Sequence, residues 1–388
     1  MPLTTRHLKS ALPSAQDPDR LRAVRETVTQ IIADVRERGD AAVREYSEKF
    51  DNWSPADFRL DQEEIDRIIA GVPEQAIADI RTVQSRVRNF AQHQLESLRD
   101  FEIETEPGMH LGQKSIPVHS SGAYVRGGRY PLVASAHMTV VTAKVAGVSQ
   151  VTACTPPIRG EIPAATIAAM HLAGADEIFL LGGTQAVAAM ALGTQTIGKV
   201  NLLTGPGNAY VAEAKRQLFG EVGIDLFAGP TETLIVADDD ADPFVVAVDL
   251  LSQAEHGPDS PAVLITTSEP LARRAIELLE KLLVDMPTAD FAGPAWRDHG
   301  QVTVVDDLDA AYALANKYAS EQGHFGYQRS FPIVMPCRAW SLGLPGRWKA
   351  HFSSCDRQSD RPAGDAIDQH RVSRTKPSCS LLLRMAGS

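Results

Sequence analysis

Val200-Asn201-Leu202-Leu203-Thr204-Gly205-Pro206-Gly207-Asn208-Ala209-Tyr210-Val211 is the stretch whose reading decides the fold. Val200–Thr204 is a short apolar run of strand length. Two glycines and a proline then turn the chain, and Ala209–Phe219 continues at the helical period. The same unit recurs on both sides. Gln150–Thr155 predicts a strand and Ala164–Leu172 a helix; Glu177–Leu181 a strand, ended by Gly182-Gly183, and Gln185–Leu192 a helix. Thr233–Ala237, Pro261–Thr267 and Gln301–Val305 predict strands, followed by helices from Pro243, over Leu271–Leu283 and over Leu308–Tyr318. Strands that are apolar throughout, alternating with helices, mean a parallel sheet covered on both faces. Right-handed crossovers make it doubly wound.

The flanks differ. Residues 18–50 and 62–100 carry helical periodicity, for example Val24, Val28, Ile31, Ile32 and Val35. Residues 322–388 hold ten Lys/Arg against four Asp and no Glu, a formal +6, in a chain whose net charge is −11. That segment also carries three of the four cysteines and no clear periodicity, so no structure is forced on it. The expected fold is α/β: two Rossmann-like, doubly wound parallel-sheet halves with an N-terminal helical extension and an irregular C-terminal tail. The expected divisions are 1–120 for the extension, as part of the catalytic fold, 121–228 for the first half with the NAD-contact loops, 229–321 for the second with the metal helix, and 322–388 for a divergent, poorly ordered tail.

The acidic balance argues against nucleic-acid binding through a basic face. Cys154, Cys337, Cys355 and Cys379 form no C-x-x-C pair, so neither a cysteine zinc site nor a disulfide framework is indicated. No apolar run reaches the roughly 18 residues of a membrane span, and the first residues lack a signal-peptide core. A cytoplasmic protein without a membrane partner is expected.

In open α/β sheets ligands bind at the carboxyl ends of strands. Gly182-Gly183-Thr184-Gln185 and Gly205-Pro206-Gly207-Asn208 each follow a strand and open a helix, where free N–H groups suit phosphate. Neither is a G-x-G-x-x-G fingerprint, and an ordinary tight turn is the competing reading. Tyr124 beside Gly127-Gly128 offers a ring that either stacks on a base or packs in the rim. The helix starting at Asp242-Pro243 is expected to run to Gly257. Gln253 and His256, three apart on one helical face, would then present an amide oxygen and an imidazole suited to zinc. A polar helix end meeting solvent is the bland reading of the same spacing.

Residues from about 20 to 321 resemble the histidinol dehydrogenase family. The likeness rests on Gly122–Pro131, Ala143–Gly147, Leu181–Ala186, Gly205–Asn208, Ala228–Glu232, Asp249–Gly257 and Tyr318–Glu321. The resemblance implies NAD- and zinc-dependent oxidation of a primary alcohol through an aldehyde to a carboxylate, and a homodimer. The substrate it implies is L-histidinol, oxidised to L-histidine as in histidine biosynthesis, or a related alcohol such as a sulfopropanediol. By residue, it implies NAD contacts at Tyr124, Gln185 and Asn208, and substrate contacts at Thr231, Gln253 and His256. Gln253 and His256 match two of four zinc ligands, and Glu321 matches the glutamate of a catalytic Glu–His pair.

The chain departs from the family in its sequence at Gln322 and Arg126. Gln322 stands where the catalytic His belongs, and Gln cannot act as a general base. His324 is a candidate substitute; Asp365, Asp368 and His370 have metal-ligand chemistry but no supporting motif. The compositional break suggests a change of reading frame or exon structure near Glu321–Gln322. A catalytically impaired, dinucleotide- or partner-binding relative is the rival expectation. Arg126 replaces the usual Pro of the glycine turn. With Arg129 and His137, it suggests an anionic substrate head group of the sulfopropanediol kind; a solvated loop residue and a packed helix residue are the plainer readings of Arg129 and His137.

Overall fold

The computed structural model describes residues 5–12, 18–127, 133–225, 232–318, 320, 322–326 and 349–350. In chain order the strands are β1 (Thr5–Lys9), β2 (Phe101–Glu106), β3 (Met109–Gln113), β4 (Ser120–Tyr124), β5 (Gln150–Thr155), β6 (Glu177–Leu180), β7 (Leu202–Thr204) and β8 (Gly223–Ile224). They continue as β9 (Thr233–Ala237), β10 (Ala262–Thr266), β11 (Gly300–Val305), β12 (Gln322–Gly326) and β13 (Lys349–Ala350). The described residues divide into two compact units, one of those within 17–228 and the other of those within 5–12 and 232–350.

The first unit is built on a five-stranded parallel sheet of order β6-β5-β4-β7-β8. Successive residues of each strand enter opposite cores, as the two-residue period of a pleated strand demands. Val151 and Ala153 face one core and Cys154 the other. Ile178 and Leu180 oppose Phe179 and Leu181, and Leu202 opposes Leu203. The helices expected as an extension supply both covers. Pro18–Arg38 and Asp40–Asp51 bury Val28, Ile31, Val35 and Val43 with Phe179. Gln62–Ala70 and Glu74–Glu96 bury Ile65, Ile80 and Val87 on the other face. They pack on both faces of this sheet.

Each predicted N-terminal helix is two. Gly39, at φ +56, turns the chain between the first pair, and Gly71-Val72-Pro73 separates the second. The apolar period runs across Gly39, so the pattern alone conceals the break. β2 and β3 form an isolated antiparallel hairpin inside the region read as helical.

The second unit holds a sheet of order β1-β11-β10-β9-β12-β13. Its pairs are parallel except β1 with β11. Leu234, Val236, Val263 and Ile265 fill one face with the helix Leu308–Tyr318. Ile235, Ala237, Leu264 and Val302 fill the other, with Pro243–Ala254, Glu269–Asp285 and Ala289–His299. The sheet does not stop at Glu321: β12 lies in register beside β9, Gln322 opposite Thr233 and Gly326 opposite Ala237. β13 pairs in turn with Gln322 and Gly323. The tail was expected to be irregular from Gln322, and its first residues are instead ladder-bonded strand. Among the described residues no helix is long and apolar enough to cross a membrane.

Candidate functional site

The first sheet has a topological switch point. From β4 the chain steps outward through β5 to β6, then returns to lay β7 on the other side of β4. The connections after β4 and β7 therefore leave in opposite directions, and in open α/β sheets it is outside the carboxyl ends at such a point that a crevice for ligands lies. Tyr124 is the last residue of β4, and Gly205-Pro206-Gly207-Asn208 follows β7 directly.

The crevice is held closely. Gly205 has φ +123, and a Cβ there would stand 2.0 Å from the carbonyl oxygen of Tyr124. Only glycine lets the loop lie against β4. The Gly205 peptide is gripped at both ends: its N–H donates to Asp225 Oδ2 at 2.7 Å, and its carbonyl accepts from Lys215 Nζ at 2.9 Å. Lys215 also pairs with Asp225, and both side chains are mostly withdrawn from water. Burial pushes the Asp225 carboxyl up, and the Lys215 charge opposes that shift. On the far side Pro156 fits between Gly127 and Gly182, whose added Cβ atoms would lie 2.2 and 2.3 Å from its ring.

Tyr124 is buried, and its hydroxyl accepts the Gly183 N–H at 3.1 Å, at the start of the helix Gly183–Leu192. Burial pushes its phenol up to about 12, so it stays a neutral hydroxyl with its own proton to donate. Gln185 is buried in the first turn of that helix. Its Nε2 donates to Asp51 Oδ2 at 3.2 Å, while its Oε1 is buried without a hydrogen-bond partner among the described residues. Asn208 caps the helix Ala209–Leu218, its Oδ1 accepting from Tyr210 and Val211 at 3.0 and 3.1 Å. Its side-chain NH2 still has donors to offer. The three residues expected to contact NAD thus all lie at the helix starts and strand end that border this crevice. Asp51, which the sequence reading did not single out, is bonded to one of them.

The second unit carries the metal candidates. The helix from Pro243 ends at Ala254, short of Gly257, with Glu255 as its C-cap. His256 lies in the turn beyond, its N–H bonded to the Gln253 carbonyl at 3.1 Å, so one tighter turn preserves the three-residue spacing. Gln253 is buried, and its Oε1 accepts the Thr233 hydroxyl at 2.8 Å. An amide oxygen has a second lone pair, so this bond leaves it able to face a cation. His256 is exposed, with Nδ1 3.0 Å from the Ser252 carbonyl. A carbonyl only accepts, so Nδ1 carries the proton and Nε2 the lone pair a metal would use. Both donors fit zinc chemically. Catalytic zinc takes three protein ligands or more, and no group of three His, Cys, Asp or Glu suited to a metal occurs among the described residues. Thr231, Glu321 and Arg129 lie outside the described residues, as do Asp365, Asp368 and His370. Of His324 only the backbone is described, in β12.

His137 does not serve a substrate head group. It begins a π-helical turn, His137–Val141, is 3 % exposed, and lies 3.3 Å from the Gln84 amide. Burial lowers its pKa to about 4, so it stays a neutral core group at ordinary pH. The plainer reading, a packed helix residue, is the correct one.

Residues 15–332 match the family described as histidinol dehydrogenase. The chain is 57 % identical over 315 residues to a histidinol dehydrogenase homolog of Shouchella clausii, covering 81 % of this chain and 74 % of the relative. It is 46 % identical over 323 residues to the sulfopropanediol 3-dehydrogenase of Ruegeria pomeroyi, covering 82 % and 73 %. The crystal structure of a histidinol dehydrogenase from Elizabethkingia anophelis superposes with a TM-score of 0.76 at 32 % identity, covering 88 % of this chain and 76 % of that one. The family match extends to Pro332, so Gln322 lies inside it.

Proposed function

Because the chain belongs to the histidinol dehydrogenase family, we propose that it oxidises a small polar primary alcohol to the carboxylate, passing hydride to NAD. The substrate is a histidinol- or sulfopropanediol-type alcohol. The observation that carries this reading is the crevice at the β4/β7 switch point, where Tyr124, Gln185 and Asn208 stand around glycine turns shaped for close backbone approach. Beyond the Gly183 N–H, which the Tyr124 hydroxyl already accepts, the first turn of the helix from Gly183 offers N–H groups that suit a diphosphate. The neutral Tyr124 hydroxyl and the Asn208 amide supply donors, and the Gln185 oxygen an acceptor.

In the proposal Gln253 and His256 contribute two ligands to a zinc ion, which when bound would polarise the alcohol oxygen. The residues' own tasks are separable from it. The Ser252 carbonyl fixes the His256 tautomer, and Thr233 orients the Gln253 amide. Thr231 offers a hydroxyl to the substrate, and Glu321 is the candidate to activate water for the second oxidation. Gln322 cannot share that proton chemistry. The protein is proposed to work as a cytoplasmic homodimer.

The test is an NADH-forming assay of the zinc-loaded protein with histidinol, sulfopropanediol and related alcohols. Two NADH per alcohol consumed is the expected stoichiometry. Absence of NADH from every alcohol, together with no dinucleotide binding, would overturn the reading.

A further inference from the structure

We propose that Asp51 is a dinucleotide-specificity residue: with Gln185 it accepts the hydroxyls of an NAD ribose and turns away a ribose carrying a 2′-phosphate. The inference rests on the dinucleotide reading of the β4/β7 crevice and assigns a role within it.

Asp51 is the last residue of the helix Asp40–Asp51. The carboxyl end of a helix bears partial negative charge, so a carboxylate there is poorly placed for stability. Among the described residues Asp51 pairs with no basic side chain. Its bonding partner is Gln185, reached across 134 residues of sequence at 3.2 Å. Its surroundings withdraw it from water far enough to raise its carboxyl, against the Gln185 bond, and its charge reaches the Tyr124 phenol.

The acceptors are in surplus. Gln185 spends its amide N–H on Asp51, which leaves its oxygen buried and without a partner among the described residues. The Gln185 side chain folds back over Gly183, its Oε1 2.6 Å from where a Cβ would stand. Asp51 itself can only accept while ionised. A buried acceptor left unmatched is costly, so the missing component is a group with adjacent O–H donors. A ribose diol has that form. A phosphate has no such donors and would meet the Asp51 charge directly. Arg126 is a cation whose charge also reaches Tyr124.

The experiment is a fluorescence titration of the full chain with NADH and NADPH, for wild type, Asp51→Asn and Asp51→Glu. Wild type is expected to prefer NADH. Asp51→Asn should weaken NADH binding about tenfold, the scale of a lost charge-assisted hydrogen bond, and strengthen NADPH relative to NADH. Asp51→Glu, which keeps the charge, should retain the preference. A structural defect would lower both affinities alike and leave their ratio unmoved. An unchanged ratio in Asp51→Asn therefore overturns the assignment while leaving the dinucleotide site standing. A wild type that binds neither nucleotide overturns the dinucleotide reading itself.

Discussion

The two candidate sites are built in opposite ways. In the first unit the candidate side chains come from the end of a strand, the starts of two helices and the end of a third, and they are tied together by bonds across 59 and 134 residues. In the second, Gln253 and His256 sit three residues apart on one segment, one buried and one exposed. The first arrangement cannot exist unless the sheet is folded, and once it is folded the crevice is shaped. The second is local, presents two donors, and needs other segments to complete a metal's coordination. Folding the sheet is thus enough to place one set of candidate side chains and only a beginning for the other.

The largest expected effect tests how firmly the crevice belongs to the fold. Gly205→Ala places a Cβ against the Tyr124 carbonyl at a positive φ. We expect a loss of about 4 kcal/mol, combining overpacking with backbone strain, read as a lower urea midpoint. A midpoint within experimental error of wild type would show the loop to be adjustable and would break the contrast.

A smaller effect comes from His137. Its folded pKa lies below the ordinary histidine value, so the neutral ring contributes stability above about pH 6.5 that is lost as pH falls toward 4. Between pH 7 and pH 5 this one residue should account for about 2 kcal/mol of lost stability. His137→Leu should flatten that part of the urea-midpoint profile, and an unaltered slope would contradict the buried, neutral assignment.

The smallest stability effect belongs to the metal half. His256→Ala, at an exposed turn, should change unfolding free energy by less than about 0.5 kcal/mol. Zinc content by mass spectrometry should nonetheless fall, while NADH affinity stays as in wild type. Loss of NADH binding in this variant would mean that the two candidate sites are not independent.

The central strands were legible because they are buried on both faces: Gln150–Thr155 and Thr233–Ala237 read correctly at both ends. The glycine turns were legible for the same local reason. What escaped depends on distant partners or on breaks in a pattern. β1 is recognisable only through β11. The helix Ala289–His299 contains Pro294, which local rules treat as a stop. Phe101-Glu102-Ile103-Glu104 does alternate as a strand should, but a helical reading of residues 1–120 passes over it. Asp51 has no motif at all; its meaning comes from Gln185. Gln253 and His256 kept their spacing although the helix ended early, because a single tighter turn carried His256 on.

The antiparallel pairing of β1 with β11 has a consequence for synthesis. Thr5 leaves the ribosome long before its partner Val305, which is made about 300 residues later. In the meantime residues 17–228 can complete their own sheet. The opening strand must therefore wait, unpaired, through most of translation. Chain closure at that edge is a late event, and a nascent-chain protease assay should find β1 accessible until β11 has emerged.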